Sequence, residues 1–128
     1  MIREQDRRKV AAIPSTGIDY FSFVLRGDVY RFRLPKGVGH DQHGDRYAVV
    51  VQGDEFLPRS VVIVAPTSRR ARSASFRPEA AIAGKTTRVL IEQIGTVDAR
   101  RLGEFAGHLT LEEMWGIDEA LTAVLGLR

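Results

Sequence analysis

Arg46 stands at the end of a Gly-rich polar stretch and directly before the apolar run Tyr47-Ala48-Val49-Val50-Val51. Thr67 and Ser68 close a second apolar run and lead into Arg69-Arg70. A guanidinium at the rim of a rigid sheet offers a planar, bidentate fork suited to phosphate oxygens. A hydroxyl at a strand end offers a neutral donor beside it, although turn formation is the commoner use of such a pair. The other reactive residue types offer less. There is no cysteine, which excludes disulfides, thiolate metal sites and thiol nucleophiles together. His40 and His43 share a Gly-rich loop with Asp41 and Asp45, but zinc needs three or four ligands on ordered elements and the only other histidine is His108. The two aspartates also lack the glutamate that closes a calcium loop, so neither a metal nor a cofactor is expected. No Gly-rich phosphate loop and no nucleophile elbow is present. Arg26-Gly27-Asp28 is expected to act as a turn, with Gly27 bending the chain into the first strand.

Charge is unevenly placed. Of 19 basic residues, 16 are arginine and three are lysine (Lys9, Lys36, Lys85). Residues 57–77 carry Arg59, Arg69, Arg70, Arg72 and Arg77 with no acid, whereas residues 104–127 carry five acids and no arginine or lysine. A basic segment set against an acidic one suggests a face built for a polyanion. The chain has 128 residues, enough for one compact domain with a modest core. Its longest purely apolar run, residues 61–66, is far too short to span a membrane. With no apolar signal segment at the N-terminus and no cysteine, the expected location is the cytoplasm.

The elements that must position these groups are mostly strands. Residues 29–34 alternate, 47–51 and 60–65 are β-branched runs bounded by turn residues, 89–94 read as a fourth strand and 102–109 as a fifth. Thr110-Leu111-Glu112-Glu113 is a capping box, with Met114, Ile117, Leu121, Val124 and Leu125 following at helical spacing and Gly126 as the stop. Several short strands capped by one helix predict a mainly β fold, a small and strongly bent barrel.

In this order the motifs resemble the MazF/PemK toxins. Arg26-Gly27-Asp28-Val29-Tyr30 and the loop Gly39-His40-Asp41-Gln42-His43-Gly44-Asp45-Arg46 are similar to that family's opening strand and loop. Val64-Ala65-Pro66-Thr67-Ser68 resembles its second strand. Leu90-Ile91-Glu92-Gln93-Ile94-Gly95-Thr96-Val97-Asp98 followed by Arg101-Leu102 resembles its Glu-Gln-Ile segment, and the Asp118-Glu119-Ala120-Leu121 helix matches as well. The resemblance covers residues 26–128 as one domain and leaves 1–25 as an N-terminal extension of open role.

The resemblance implies an SH3-like β-barrel with a C-terminal helix, assembled as a homodimer. It implies a metal-independent endoribonuclease that cuts single-stranded RNA at short sequences and is neutralised by an acidic, MazE-like antitoxin. The family's essential arginine falls on Arg46, its essential threonine on Ser68 with Thr67 one place early, and its loop glutamate on Asp41, the candidate general base. Tyr47 replaces a proline, and Gly95 replaces an arginine. RNA contacts are expected from the loops 35–45 and 53–59, from Gln42 and Thr67, and from Arg69, Arg70 and Arg72. Glu92 and Gln93 could read base edges or serve the strand structurally. Two rivals share the fold, a non-catalytic toxin that binds DNA gyrase and a degenerate antitoxin- or RNA-binding module. A pure binder needs neither the loop arginine nor the strand-end hydroxyl, and this chain has both.

Overall fold

The computed structural model describes residues 24–32, 46–57 and 59–127. Asp41, Gln42, His40 and His43 lie outside the described residues. Seven antiparallel strands form one bent sheet: β1 (Asp28–Phe32), β2 (Arg46–Val50), β3 (Val61–Ser68), β4 (Glu79–Ile82), β5 (Lys85–Val89), β6 (Gly95–Asp98) and β7 (Leu102–His108). The order is β4-β5-β3-β2-β1-β7, with β6 also paired to β3. A C-terminal helix, α1 (Leu111–Val124), completes the fold. The sequence predicts this mainly β, barrel-like fold with one C-terminal helix, and the sheet closes as a half-barrel.

Strand alternation sorts the apolar residues into two cores. Val29, Val49, Ala65, Ala80, Ile82, Val89 and Ile91 face α1, where they meet Met114, Ile117 and Ala120. Tyr30, Phe32, Ala48, Val50, Val62 and Val64 face the other way and meet Val24, Ala99 and Leu102. Both faces of the central strands are covered, so 47–51 reads as an unbroken apolar run rather than an alternating one.

The edge of β3 away from β2 is shared by two partners. Thr67 and Ser68 pair with Val89 and Arg88 of β5, while residues 61–64 pair with β6. The chain between them leaves the strand at Leu90 and makes a 3-10 turn over Ile91–Gln93. The expected single strand over 89–94 is therefore corrected to the end of β5, a turn and the start of β6. The tight turn lets the consecutive Leu90 and Ile91 both be buried. The β4–β5 hairpin is an element beyond those the sequence predicts. Its two-residue loop places Ala83 at φ 53° and Gly84 at φ 76°, the twist a two-residue hairpin requires.

The Arg26-Gly27-Asp28 turn ties elements together. Gly27 has φ 93°, and a Cβ there would lie 3.0 Å from the His108 ring, so only glycine fits. Arg26 pairs with Asp118 of α1 at 2.7 Å and donates through Nε to the Val51 carbonyl. Asp28 is fully buried and accepts from the Leu25 N–H and the Tyr30 hydroxyl, with His108 Nδ1 at 2.9 Å from its other oxygen. His108 is thus committed to the fold.

The capping box forms as expected, with Thr110 accepting from the Glu113 N–H and Glu113 returning to the Thr110 N–H. The second Glu113 oxygen accepts from the Ala81 N–H, which satisfies a donor on the exposed edge of β4. At the other end Leu127 N–H reaches the Thr122 carbonyl and Gly126 N–H the Ala123 carbonyl, with Gly126 at φ 67°. The expected apolar stripe needs one correction. Met114 and Ile117 are buried, but Val124 and Leu125, in the last turn, are exposed. No helix among the described residues is long and apolar enough to cross a membrane.

Candidate functional site

A cleft of about 360 Å³ opens at the end of the sheet, between β1–β2 and the β4–β5 hairpin. It is lined by Arg31, Arg46, Tyr47, Thr67, Ser68, Arg69, Arg70, Ile82, Ala83, Lys85 and Thr87. Arg46 begins β2, and Thr67 and Ser68 end β3, so the first and last residues of two paired strands meet at one rim. Arg46 donates through Nη1 to the Thr67 carbonyl at 3.1 Å, which fixes the guanidinium over the strand end. Its remaining donors have no partner among the described residues.

The two neighbouring hydroxyls are used differently. Thr67 is 4% exposed and donates to the Tyr47 carbonyl at 2.9 Å, so its proton is spent on joining β3 to β2. Ser68 points to the other face and is half-buried. Its oxygen accepts from the Arg70 N–H at 3.3 Å, and its own proton is uncommitted among the described residues. That leaves Ser68 able to donate to a ligand.

The electrostatics set this cleft apart. Among the described residues five cations line it and no carboxylate does. Arg46, Arg69, Arg70 and Lys85 make no ion pair among the described residues. Outside the cleft, Arg26, Arg77, Arg88 and Arg100 are each paired with an acid. Arg31 lies over the Tyr47 ring with 5.8 Å to its centroid, so the tyrosine is held by a neighbour on the same face. A concave surface whose guanidinium groups lack acidic partners among the described residues, with the Ser68 hydroxyl at hand, suits an anion with oxygen acceptors.

Not every residue singled out in the sequence comes to the cleft. Arg46, Thr67, Ser68, Arg69 and Arg70 line it; Arg72, Glu92 and Gln93 do not. Glu92 instead receives Arg77 through Nε and Nη2 at 3.0 and 2.6 Å. Burial would raise the Glu92 carboxyl, but hydrogen bonds from Arg77, its own backbone N–H and Gln93 outweigh that and hold it below the usual range. Arg77 also donates to the Arg72 carbonyl, and Arg88 donates to the Arg77 carbonyl while pairing with Glu79. This relay of arginines pins the basic segment 72–77 against the hairpin. Arg31, Lys85 and Thr87 are cleft residues that the sequence reading missed. The signal for the last two was the alternation of Ala80 and Ile82 with Thr87 and Val89 around Ala83-Gly84, a hairpin pattern. Among the described residues no group of three or more His, Asp or Glu side chains is placed to hold a metal.

Residues 25–125 match the family model described as PemK-like, MazF-like toxin of type II toxin-antitoxin system. A Mycobacterium tuberculosis protein named as a toxin, Rv3098A, is 41% identical over 106 residues, covering 81% of this chain and 99% of that protein. Among solved structures, MazF from Deinococcus radiodurans superposes with a TM-score of 0.68 at 21% identity, covering 80% of this chain and 96% of that one. An endoribonuclease in complex with its cognate antitoxin from a mycobacterial species gives 0.67 at 24% identity, covering 82% and 97%. The structural likeness establishes the fold, and the family match extends over the whole cleft-bearing sheet and helix. This chain belongs to the PemK/MazF family and is a toxin of a type II toxin–antitoxin system.

Proposed function

We propose that this toxin is a sequence-selective endoribonuclease that cuts single-stranded RNA in the cytoplasm without a metal, and that residues 26–128 carry the activity. The observation that supports it best is the cleft itself, where Arg46, Arg69, Arg70 and Lys85 lack acidic partners among the described residues. RNA brings its own nucleophile, the 2′-hydroxyl beside the scissile phosphate. The oxygen O2′ bonds to phosphorus, the bond from phosphorus to O5′ breaks, the 2′ proton leaves to a base, and O5′ gains a proton. The products are a 2′,3′-cyclic phosphate and a 5′-hydroxyl.

The protein's task in that step is alignment and charge stabilisation. Arg46 holds the non-bridging oxygens with the donors that Thr67 leaves free, and Ser68 adds a neutral hydrogen bond as charge grows on the phosphorane. A guanidinium with a pKa above about 12 is a poor base, so Arg46 serves the transition state and the departing O5′ rather than the nucleophile. Asp41 is assigned as the base. Arg69 and Arg70 meet flanking phosphates, with Gln42, Arg72 and Gln93 as further contacts along the RNA, while Glu92 holds Arg77.

Two partners accompany this activity. A second copy covers the exposed apolar residues of α1, giving a homodimer. An acidic antitoxin segment, disordered when free, binds the same basic groove and folds there. A structure similar in fold holds its cognate antitoxin, which supports such a partner here.

The test is incubation of the purified protein with a long RNA in EDTA, followed by mapping of both ends. Cleavage that leaves cyclic phosphate and 5′-hydroxyl ends is expected, and a single 2′-deoxy nucleotide 5′ to the cut should abolish it. Undiminished cutting of the deoxy substrate would rule out attack by the 2′-hydroxyl.

A further inference from the structure

Thr87 is 5% exposed, lines the cleft, and its hydroxyl has no hydrogen-bond partner among the described residues. Burying an unpaired hydroxyl is unfavourable, and valine would fill the same volume without that cost. Such a group calls for an explanation, and in a cleft wall a ligand that supplies the missing partner is one.

Its surroundings narrow what that ligand is. Thr87 shares a strand face with Lys85 and Val89, and Val89 is paired with Thr67. Continuing that register one step past Ser68, Arg69 falls opposite Thr87. On the other side Thr87 faces Ala80, whose small side chain leaves the hydroxyl uncrowded. The cleft therefore has two levels. Arg69, Arg70 and Lys85 are exposed at its rim, while Thr87 and Ile82 are buried and form its floor beside Tyr47. A phosphate stays at the rim, where cations and water both reach it. A flat, weakly hydrated group with donors and acceptors on its edge suits the floor, and a nucleobase is such a group.

We propose that Thr87 is a specificity-determining residue, whose hydroxyl hydrogen-bonds the edge of a nucleobase adjacent to the scissile phosphate while Ile82 and Tyr47 contact the base. The inference rests on the RNA-cleavage reading and adds to it the position at which one base is read.

The test compares the parent protein with Thr87→Val and Thr87→Ser on a randomised RNA pool, mapping cut sites and measuring kcat/KM. Thr87→Val should lose roughly tenfold in kcat/KM at the preferred sequence, the scale of one hydrogen bond. Its base preference should relax at one position next to the cut and hold elsewhere. Its thermal midpoint should equal or exceed that of the parent, since the orphaned hydroxyl is gone, and Thr87→Ser should keep the parent's preference. Unchanged cut-site preference in Thr87→Val overturns the proposal, whether or not the rate falls. Cleavage by the parent that Thr87→Val matches at every site removes this inference alone, whereas no cleavage by the parent removes the endoribonuclease reading with it.

Discussion

Thr67 and Ser68 are adjacent, alternate in direction along β3, and differ in what their hydroxyl protons do. Thr67 spends its proton on the Tyr47 carbonyl from a buried position, while that of Ser68 has no acceptor among the described residues. Ser68→Ala should therefore lower kcat/KM by roughly tenfold, the value of one neutral hydrogen bond, and Ser68→Thr should retain activity. Thr67→Val should instead cost stability, about 1 kcal/mol for the lost bond, with cleavage largely preserved. Parallel measurement of kcat/KM and thermal midpoints separates the two. A Thr67→Val protein that is folded and inactive, beside a silent Ser68→Ala, would exchange their roles. The pairing of Arg46 with this strand end was legible in the sequence, because each residue borders a β-branched run. The division of labour between the hydroxyls was not, since it depends on which carbonyl lies 2.9 Å away across the ladder.

Among the elements, the β4–β5 hairpin matters most for the site and was least visible beforehand. Alanine and threonine carry little periodic signal, and Ala83 sits where glycine or asparagine would announce the turn. At φ 53° an alanine is strained, so Ala83→Asn should raise stability by about 0.5–1 kcal/mol in denaturant titration. No gain would mean the loop relaxes out of that conformation in solution. Strand β3, by contrast, was read correctly through its core and missed only where it changes partner from β6 to β5. The apolar run continues through that change, and partner identity leaves no mark on it. The capping box of α1 was legible because it is local, with donor and acceptor three residues apart. The Arg77–Glu92 pair spans 15 residues and could not be read. It gives Glu92 a role in holding the basic segment, so Glu92→Gln should speed amide exchange over residues 72–77 while leaving the core protected. Unchanged exchange there would show that Arg88 and the Arg72 carbonyl hold the segment unaided.

At the scale of the molecule, α1 carries an apolar stripe that is exposed among the described residues. Leu111, Trp115 and Leu125 are 63%, 58% and 52% exposed and lie along one side of the helix with Asp118 and Thr122. Large exposed apolar groups in a row mark an association surface. Sedimentation at micromolar concentration should give twice the 14.3 kDa chain mass, and Trp115→Glu should shift the protein toward monomer. A 14.3 kDa species alone would argue against the dimer. The dimer would set two clefts on one particle, and whether each cuts RNA rests on Arg46. Its guanidinium is fixed at the rim of the sheet with donors to spare, so Arg46→Ala should fold normally and lower RNA cleavage by at least ~10²-fold, the scale of a lost electrostatic donor in a transition state. The deciding measurement is the single-turnover cleavage rate of parent and Arg46→Ala on one RNA in EDTA, with circular dichroism confirming both folds. A folded variant that has lost the 2′,3′-cyclic phosphate product is the expected result. A folded variant that cuts at the parent's rate would contradict the account and leave this cleft a binding surface.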